Sequence, residues 1–151
     1  MQIREDDLSG PEIARLLERH LAHMAEHTPP ESIYALDLDS LRAPDITFWS
    51  GWAAGDLVGC VALRELTPDH GEIKSMHAVH ERRGEGIGKQ FVAFIIIEAR
   101  RRGYARLSLE TGSMAGFEPA RRLYGGFGFE PCGPFGEYAF DANSVYMTLT
   151  L

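Results

Sequence analysis

The sequence predicts an α/β (α+β) domain, and three observations carry that prediction. A strand-like run over residues 71–79 passes through the glycine-rich turn Arg82-Arg83-Gly84-Glu85-Gly86-Ile87-Gly88-Lys89 into a long helical pattern. Runs that alternate apolar and polar residues, as half-buried strands do, lie on both sides of that unit. With 151 residues and 44% apolar content, the chain is long enough for one domain with a substantial core. No linker, internal repeat or low-complexity tract divides it.

Taken in order, Ser9-Gly10-Pro11-Glu12 has the form of a capping box with proline near a helix start. Ile13, Leu16, Leu17, Leu21 and Met24 then recur at helical spacing, so a first helix is expected over about residues 11–27, stopped by Thr28-Pro29-Pro30. Residues 31–41 read as a short helix or irregular connector. Ile46 to Trp52 alternates as a strand, Ala54-Gly55-Asp56 makes a hairpin turn, and residues 57–63 form a buried central strand. Trp49 and Trp52 are read as core.

The next strand, residues 71–79, feeds the glycine turn. Residues 86–102 carry Ile87, Phe91, Phe94, Ile95 and Ala99 on one face, with three arginines late and Gly103 as the stop, which predicts the central helix. Residues 105–111 alternate again and return as a strand parallel to residues 71–79 through a right-handed crossover. A short helix opens near Pro119 and closes at Gly125-Gly126, and residues 145–151 supply a final strand.

Composition excludes several classes. Net charge is −7, which argues against nucleic-acid binding. Residues 74–106 nevertheless carry eight Lys/Arg against three Asp/Glu, a basic segment suited to a polyphosphate, while acidic surroundings suit a cationic second substrate. The longest apolar run, Phe91 to Ile97, is far too short to span a bilayer, and the acidic amino terminus lacks a secretory apolar region, so a soluble cytoplasmic protein without membrane partners is expected. Cys60 and Cys132 read as reduced thiols packed as small apolar groups. His23-Met24-Ala25-Glu26-His27 matches H-x-x-E-H, a metalloprotease signature. The double proline that follows at once, the short chain and the anion loop count against a protease, so these residues are read as a solvated helix face and no metal is expected.

The glycine turn is the informative chemistry. Glycine accepts positive φ and leaves no side chain between backbone and ligand. The first amides of the following helix lack intrahelical acceptors and carry the positive end of the helix dipole, so an anion there finds donors and charge together. A Walker A loop would need Gly at the Arg83 position and Ser or Thr at the Gln90 position, and Gly84, Gly86 and Gly88 miss the G-x-G-x-x-G dinucleotide spacing.

What remains, Arg83-x-x-Gly86-x-Gly88 between a strand and a helix, resembles the pyrophosphate loop of the GNAT superfamily of N-acetyltransferases. Ala120, Leu123, Tyr124, Gly128 and Phe129 resemble a second element of that family, the A-x-x-L-Y-x-x-x-G-F block. His80 departs from the pattern, since many relatives have proline there. The resemblance covers most of the chain, closely from about Leu57 onward. It implies a mixed central sheet of six to seven strands flanked by about four helices, with the two central parallel strands splayed apart.

For function, the resemblance implies transfer of the acetyl group of acetyl-CoA to a primary amine of a small molecule or peptide, by direct attack. It puts the CoA diphosphate on Arg82, Arg83, Gly84, Glu85, Gly86, Ile87, Gly88 and Lys89, and the pantetheine on the main chain of Met76, His77 and Ala78. An N–H near Ala78 would polarise the thioester oxygen. Glu72 matches the position of a family base, with Glu110 on the neighbouring strand as the rival and a water wire between them as a further option. Tyr124 falls where the family has the phenol that protonates the departing thiolate. Glu31, Ser32 and Tyr34 are candidate acceptor-site residues, and Pro134 to Tyr138 is a lid or a connector. Relatives often form homodimers. A non-catalytic acyl-CoA-binding module is the alternative, and the retention of Tyr124 and Glu72 favours the enzyme.

Overall fold

A computed structural model describes all 151 residues. Seven strands form one sheet: β1 (Gln2–Glu5), β2 (Ile46–Ala53), β3 (Asp56–Thr67), β4 (His70–Ala78), β5 (Arg106–Gly112), β6 (Glu130–Cys132) and β7 (Ser144–Thr150). Their order is β1-β2-β3-β4-β5-β7-β6, and every neighbouring pair is antiparallel except β4 and β5. The expected sheet of six to seven strands is therefore present. In place of about four helices there are three, α1 (Pro11–His27), α2 (Ile87–Arg101) and α3 (Glu118–Gly126). The connector over residues 31–41 contributes only the single 3-10 turns Pro30–Ser32 and Ser40–Arg42.

Side-chain alternation along β3 sorts the two faces. Cys60 and Ala62 pack with Ile13, Leu16 and Leu17 of α1, while Val61 and Leu63 pack with Phe91, Val92 and Ile95 of α2. The α2 face also holds Tyr124 of α3, Leu107 and Leu109 of β5, and Met147 of β7. Gly51 and Gly59, paired across β2 and β3, make room for the Phe91 ring, since a Cβ at either would lie 2.7 Å from it. Phe91 is fully buried there, a side chain whose truncation to alanine would cost on the order of 3–5 kcal/mol.

Two local expectations are corrected. Helix α1 begins where expected, but its N-cap is Gly10 without a side-chain cap bond, and the Ser9 hydroxyl instead donates to Asp7 at 2.6 Å. Strands β1 and β6 add edges to a sheet that periodicity reads as starting at Ile46 and ending with the last strand. Each is too short, at four and three residues, to display a period of its own.

Two features of β4 position everything that follows. First, β4 and β5 pair only through His70↔Arg106, Gly71↔Leu107 and Glu72↔Ser108, and then part. From Ile73 onward β4 has an unpaired main-chain edge toward the gap. Second, a β-bulge interrupts the β3 ladder between Cys60 and Ala62, and Ser75 adopts φ 50°, a left-handed conformation uncommon for a residue with a Cβ. The extra residue reverses the side-chain parity. Ile73 before it and Met76 and Ala78 after it all join the α2-side core.

Candidate functional site

At the carboxyl end of β4, the turn from Val79 to Gly86 leads directly into α2. Gly84 has φ 87° and Gly86, the N-cap of α2, has φ 80°, so both require glycine. A Cβ built on either meets no atom within 4 Å, which leaves the turn's surface open to a ligand. Gly88 differs: a Cβ there would come within 2.9 Å of Leu123, so its role is the close approach of α2 to α3. Arg82 is held by Glu85 at 3.1 Å and by Asp56 at 3.9 Å. Arg83 and Lys89 also line the cleft and have no such carboxylate partner, leaving their charge available to an anion.

The turn opens into a cleft of about 660 Å³ that follows the gap between β4 and β5. Arg82, Arg83, Gly84, Gly86, Ile87, Gly88 and Lys89 line it at one end; Met76, His77, Ala78, Tyr124, Glu72, Glu110 and Tyr34 line the rest. Most of the residues singled out from the sequence thus share one cavity. Glu85 does not line it, being turned to Arg82, and Glu31 is exposed in the 3-10 turn after α1, apart from the cleft. Ser32 is buried beside Asn143.

Tyr124 lies 6% exposed under the gap, and its hydroxyl has only the Met76 Sδ, at 3.9 Å, as a hydrogen-bond partner. Burial pushes its pKa well above the usual phenol value, and the charge of Glu110 adds to that, so the hydroxyl keeps its proton. Nothing within the protein claims that proton strongly.

The two carboxylates differ sharply. Glu72 is 1% exposed and its oxygens are already engaged: the Tyr138 hydroxyl donates to Oε2 at 2.6 Å, Lys74 Nζ lies 3.5 Å from the same atom, and Arg64 is 4.0 Å from Oε1. Lys74 in turn donates to the Tyr138 hydroxyl at 2.9 Å and to the Tyr34 carbonyl at 3.2 Å. Burial lowers the Lys74 pKa, and the charge of Glu72 opposes that shift. Glu110 accepts one hydrogen bond, from Ser144 at 2.8 Å. Burial raises its carboxyl from 4.5 to about 7, with the Ser144 bond and the Lys74 charge holding it from going further.

The segment Pro134 to Tyr138 is tied down. Beyond the Tyr138 bond to Glu72, the Phe135 ring packs against His70, Tyr138 and Tyr146, and just past the segment the Tyr34 hydroxyl donates to Asp141 at 2.7 Å. It covers the polar face of β4 and β5 opposite Tyr124.

Sequence reasoning missed the wall contributed by α1. His20, His23 and Met24 line the cleft, and the His20 ring packs at a 45° tilt against His77 with centroids 4.6 Å apart. Burial drives both imidazoles below their usual range, His77 to about 3 and His20 to about 4, so this wall is neutral at physiological pH. Of the helix face read as solvated, Glu26 and His27 are exposed, while His23 is half-buried, its ring meeting the buried Phe117 edge-on at 6.2 Å. The available signal was the i, i+3 spacing of His20 and His23 beside the apolar stripe, which pattern alone cannot distinguish from an exposed face.

Comparison with known proteins matches the family model "Acetyltransferase (GNAT) family" to residues 12–129. The N-acetyltransferase YsnE of Bacillus subtilis (strain 168), itself uncharacterized, is 54% identical over the full length of both chains. Among solved structures, a Klebsiella pneumoniae protein assigned as an acyl-CoA N-acyltransferase superposes with a TM-score of 0.80 at 24% identity, over 99% of this chain and 97% of that one. A GNAT-family acetyltransferase from Elizabethkingia anophelis with acetyl-CoA bound gives 0.73 at 18% identity, over 99% and 97%.

Proposed function

The chain belongs to the GNAT family of acetyltransferases, and from that premise we propose an N-acetyltransferase that moves the acetyl group of acetyl-CoA onto a primary amine of a small molecule or peptide by direct attack. One observation carries the reading: an open glycine turn at a helix N-terminus, an unpaired strand edge, a protonated phenol and a carboxyl poised near neutrality all line a single cleft.

The residues fit acetyl-CoA. The absence of any atom near a Cβ at Gly84 or Gly86 leaves room for a diphosphate against the amides that open α2, with Arg83 and Lys89 beside it. The edge of β4 at Met76, His77 and Ala78 offers main-chain groups to the pantetheine amides. When bound, acetyl-CoA supplies an acyl carbon already activated by a thiol leaving group.

The chain's own groups handle protons and orientation. Glu110, with a pKa near 7, takes the proton that an alkyl ammonium must lose before its nitrogen lone pair can attack. Glu72 is the weaker candidate because Tyr138, Lys74 and Arg64 already occupy its oxygens; it orients Lys74 and Tyr138 instead. An N–H of the β4 edge near Ala78 stabilises the charge that grows on the acyl oxygen. As the nitrogen–carbon bond forms and the carbon–sulfur bond breaks, the Tyr124 hydroxyl delivers its proton to the departing sulfur, and the second proton shed by the acylated nitrogen restores the phenol. The products are an amide and a free thiol. Cys60 and Cys132 take no part: burial raises the Cys60 thiol to about 12 and the Cys132 thiol above its usual value. Tyr34 lines the cleft, which supports its assignment to the acceptor side.

Two unpaired cysteines and a donor of central metabolism support a cytoplasmic setting, and no helix is long and apolar enough to cross a membrane. The test is thiol release from acetyl-CoA over a panel of polyamines, amino acids, aminoglycosides and peptides. Amine-dependent release is expected with at least one class. Binding of acetyl-CoA without release on any amine would instead identify a non-catalytic acyl-CoA-binding module.

A further inference from the structure

At the last turn of α1, three donors stand outside the proton chemistry described above. His23, Glu26 and His27 occupy positions i, i+3 and i+4, which a helix brings to one face. One ring nitrogen from each histidine and a carboxylate oxygen of Glu26 all lie within 4.8 Å of one another. We propose that these three residues bind one divalent transition-metal ion at the end of α1, beside the cleft that His23 lines.

The geometry is close to what such an ion needs. Metal–nitrogen and metal–oxygen bonds of roughly 2.0–2.2 Å in a tetrahedral shell separate neighbouring donors by about 3.4 Å. From a spread of up to 4.8 Å the donors must therefore draw together by at most about 1.4 Å, and Glu26 and His27 are exposed. The two rings are already side by side, with centroids 4.5 Å apart. Both are steered by the same anvil: Phe117 meets His23 at 6.2 Å and His27 at 6.3 Å, edge-on in each case. Gly116 completes the arrangement. A Cβ there would crowd His27 Nδ1 at 3.2 Å, so the missing side chain keeps the space beside that nitrogen clear.

Donor type selects the ion. Two imidazoles and one carboxylate suit zinc, cobalt, nickel or copper, whereas magnesium and calcium prefer oxygen shells. Three protein ligands leave a fourth position for water or another small donor. This assignment does not revive the protease reading of the same five residues. It rests on the placement of the donors alone and is independent of acetyl transfer, because binding is read without acetyl-CoA or amine.

The experiment uses full-length protein free of any polyhistidine tag. Zinc chloride is titrated calorimetrically, and cobalt(II) is added in parallel while its visible ligand-field bands are recorded. One-to-one binding of zinc is expected, together with cobalt bands of a site bearing nitrogen donors. His27→Ala, at an exposed position that leaves the fold intact, should weaken zinc affinity by tenfold or more, and Glu26→Gln by several-fold. Cys132→Ser should leave the titration unchanged. Failure of the wild-type protein to bind zinc at one equivalent would overturn the proposal, as would His27→Ala protein that binds zinc as tightly as wild type.

Discussion

Substituting Glu110→Gln tests stability and catalysis through the same carboxyl. Glutamine keeps the shape and can still accept the 2.8 Å bond from Ser144, but it has no proton to lose. In the folded protein the Glu110 carboxyl titrates near 7 rather than 4.5, because ionising it in a buried position is costly. At about 1.4 kcal/mol per unit, that gap amounts to roughly 3 kcal/mol. The sign follows from the raised value. Below pH 4.5 the group is protonated in both folded and unfolded chains and its full contribution is present; as pH rises through 7 that contribution is lost; above that it stays lost. Glu110→Gln protein lacks this fall, so its stability relative to wild type should grow by roughly 3 kcal/mol between pH 4 and pH 8. In urea, with m on the order of 2 kcal/mol/M, the midpoints should separate by about 1.5 M over that range. The same variant should lose the limb of kcat/KM that rises through pH 7 in the wild type and fall by roughly 10²–10⁴ in rate. Stability curves that run parallel from pH 4 to pH 8 would refute the buried-carboxyl argument. A limb left at its wild-type pH would remove Glu110 as the base.

Tyr124→Phe should lower kcat about 10²-fold while calorimetry finds the acetyl-CoA affinity unchanged, because it deletes a proton donor used only as the thiol leaves. Gly86→Ala forces a Cβ into φ 80°, costing about 1 kcal/mol or more, and should weaken acetyl-CoA binding in the same titration by disturbing the first amides of α2. Gly88→Ala should cost less than about 1 kcal/mol by thermal melting, since alanine's helix preference of about 1 kcal/mol offsets the 2.9 Å contact with the far end of the Leu123 side chain, which can turn away. Tyr138→Phe removes the donor to Glu72 and an acceptor of Lys74, leaving buried charges short of partners, and should cost about 1–3 kcal/mol in urea unfolding.

Much of the fold was legible because its central unit announces itself three times: a strand followed by a glycine turn, a helix with an apolar stripe, and Gly103 at φ 82° closing that helix. The cofactor end of the cleft was legible for the same reason, since backbone conformation at Gly84 and Gly86 leaves its mark in residue type. The acceptor end was not. Its lining residues are held by partners far away in the chain: Tyr138 donates to Glu72 across 66 positions, and Tyr34 donates to Asp141 across 107. No local period encodes such pairs. The α1 wall was hidden by ambiguity of another kind, because histidines beside an apolar stripe look alike whether water or Phe117 covers them.

The choice between the two carboxylates turns on the bulge and the splay together. Simple alternation along β4 would put Glu72, Lys74, Met76 and Ala78 on one face, making Glu72 a neighbour of the cofactor edge. The extra residue at Ser75 breaks that sequence: Met76 turns down to Tyr124, while Glu72 and Lys74 remain on the opposite face under Tyr138. Glu72 also belongs to the last paired rung, opposite Ser108, where the strands are still closed. Glu110 lies two residues beyond Ser108 on the same face, within the opened gap. In the proposed reaction the base must reach a proton on a nucleophile that enters where the strands have parted, and of the two carboxylates Glu110 is the one that stands past the last paired rung.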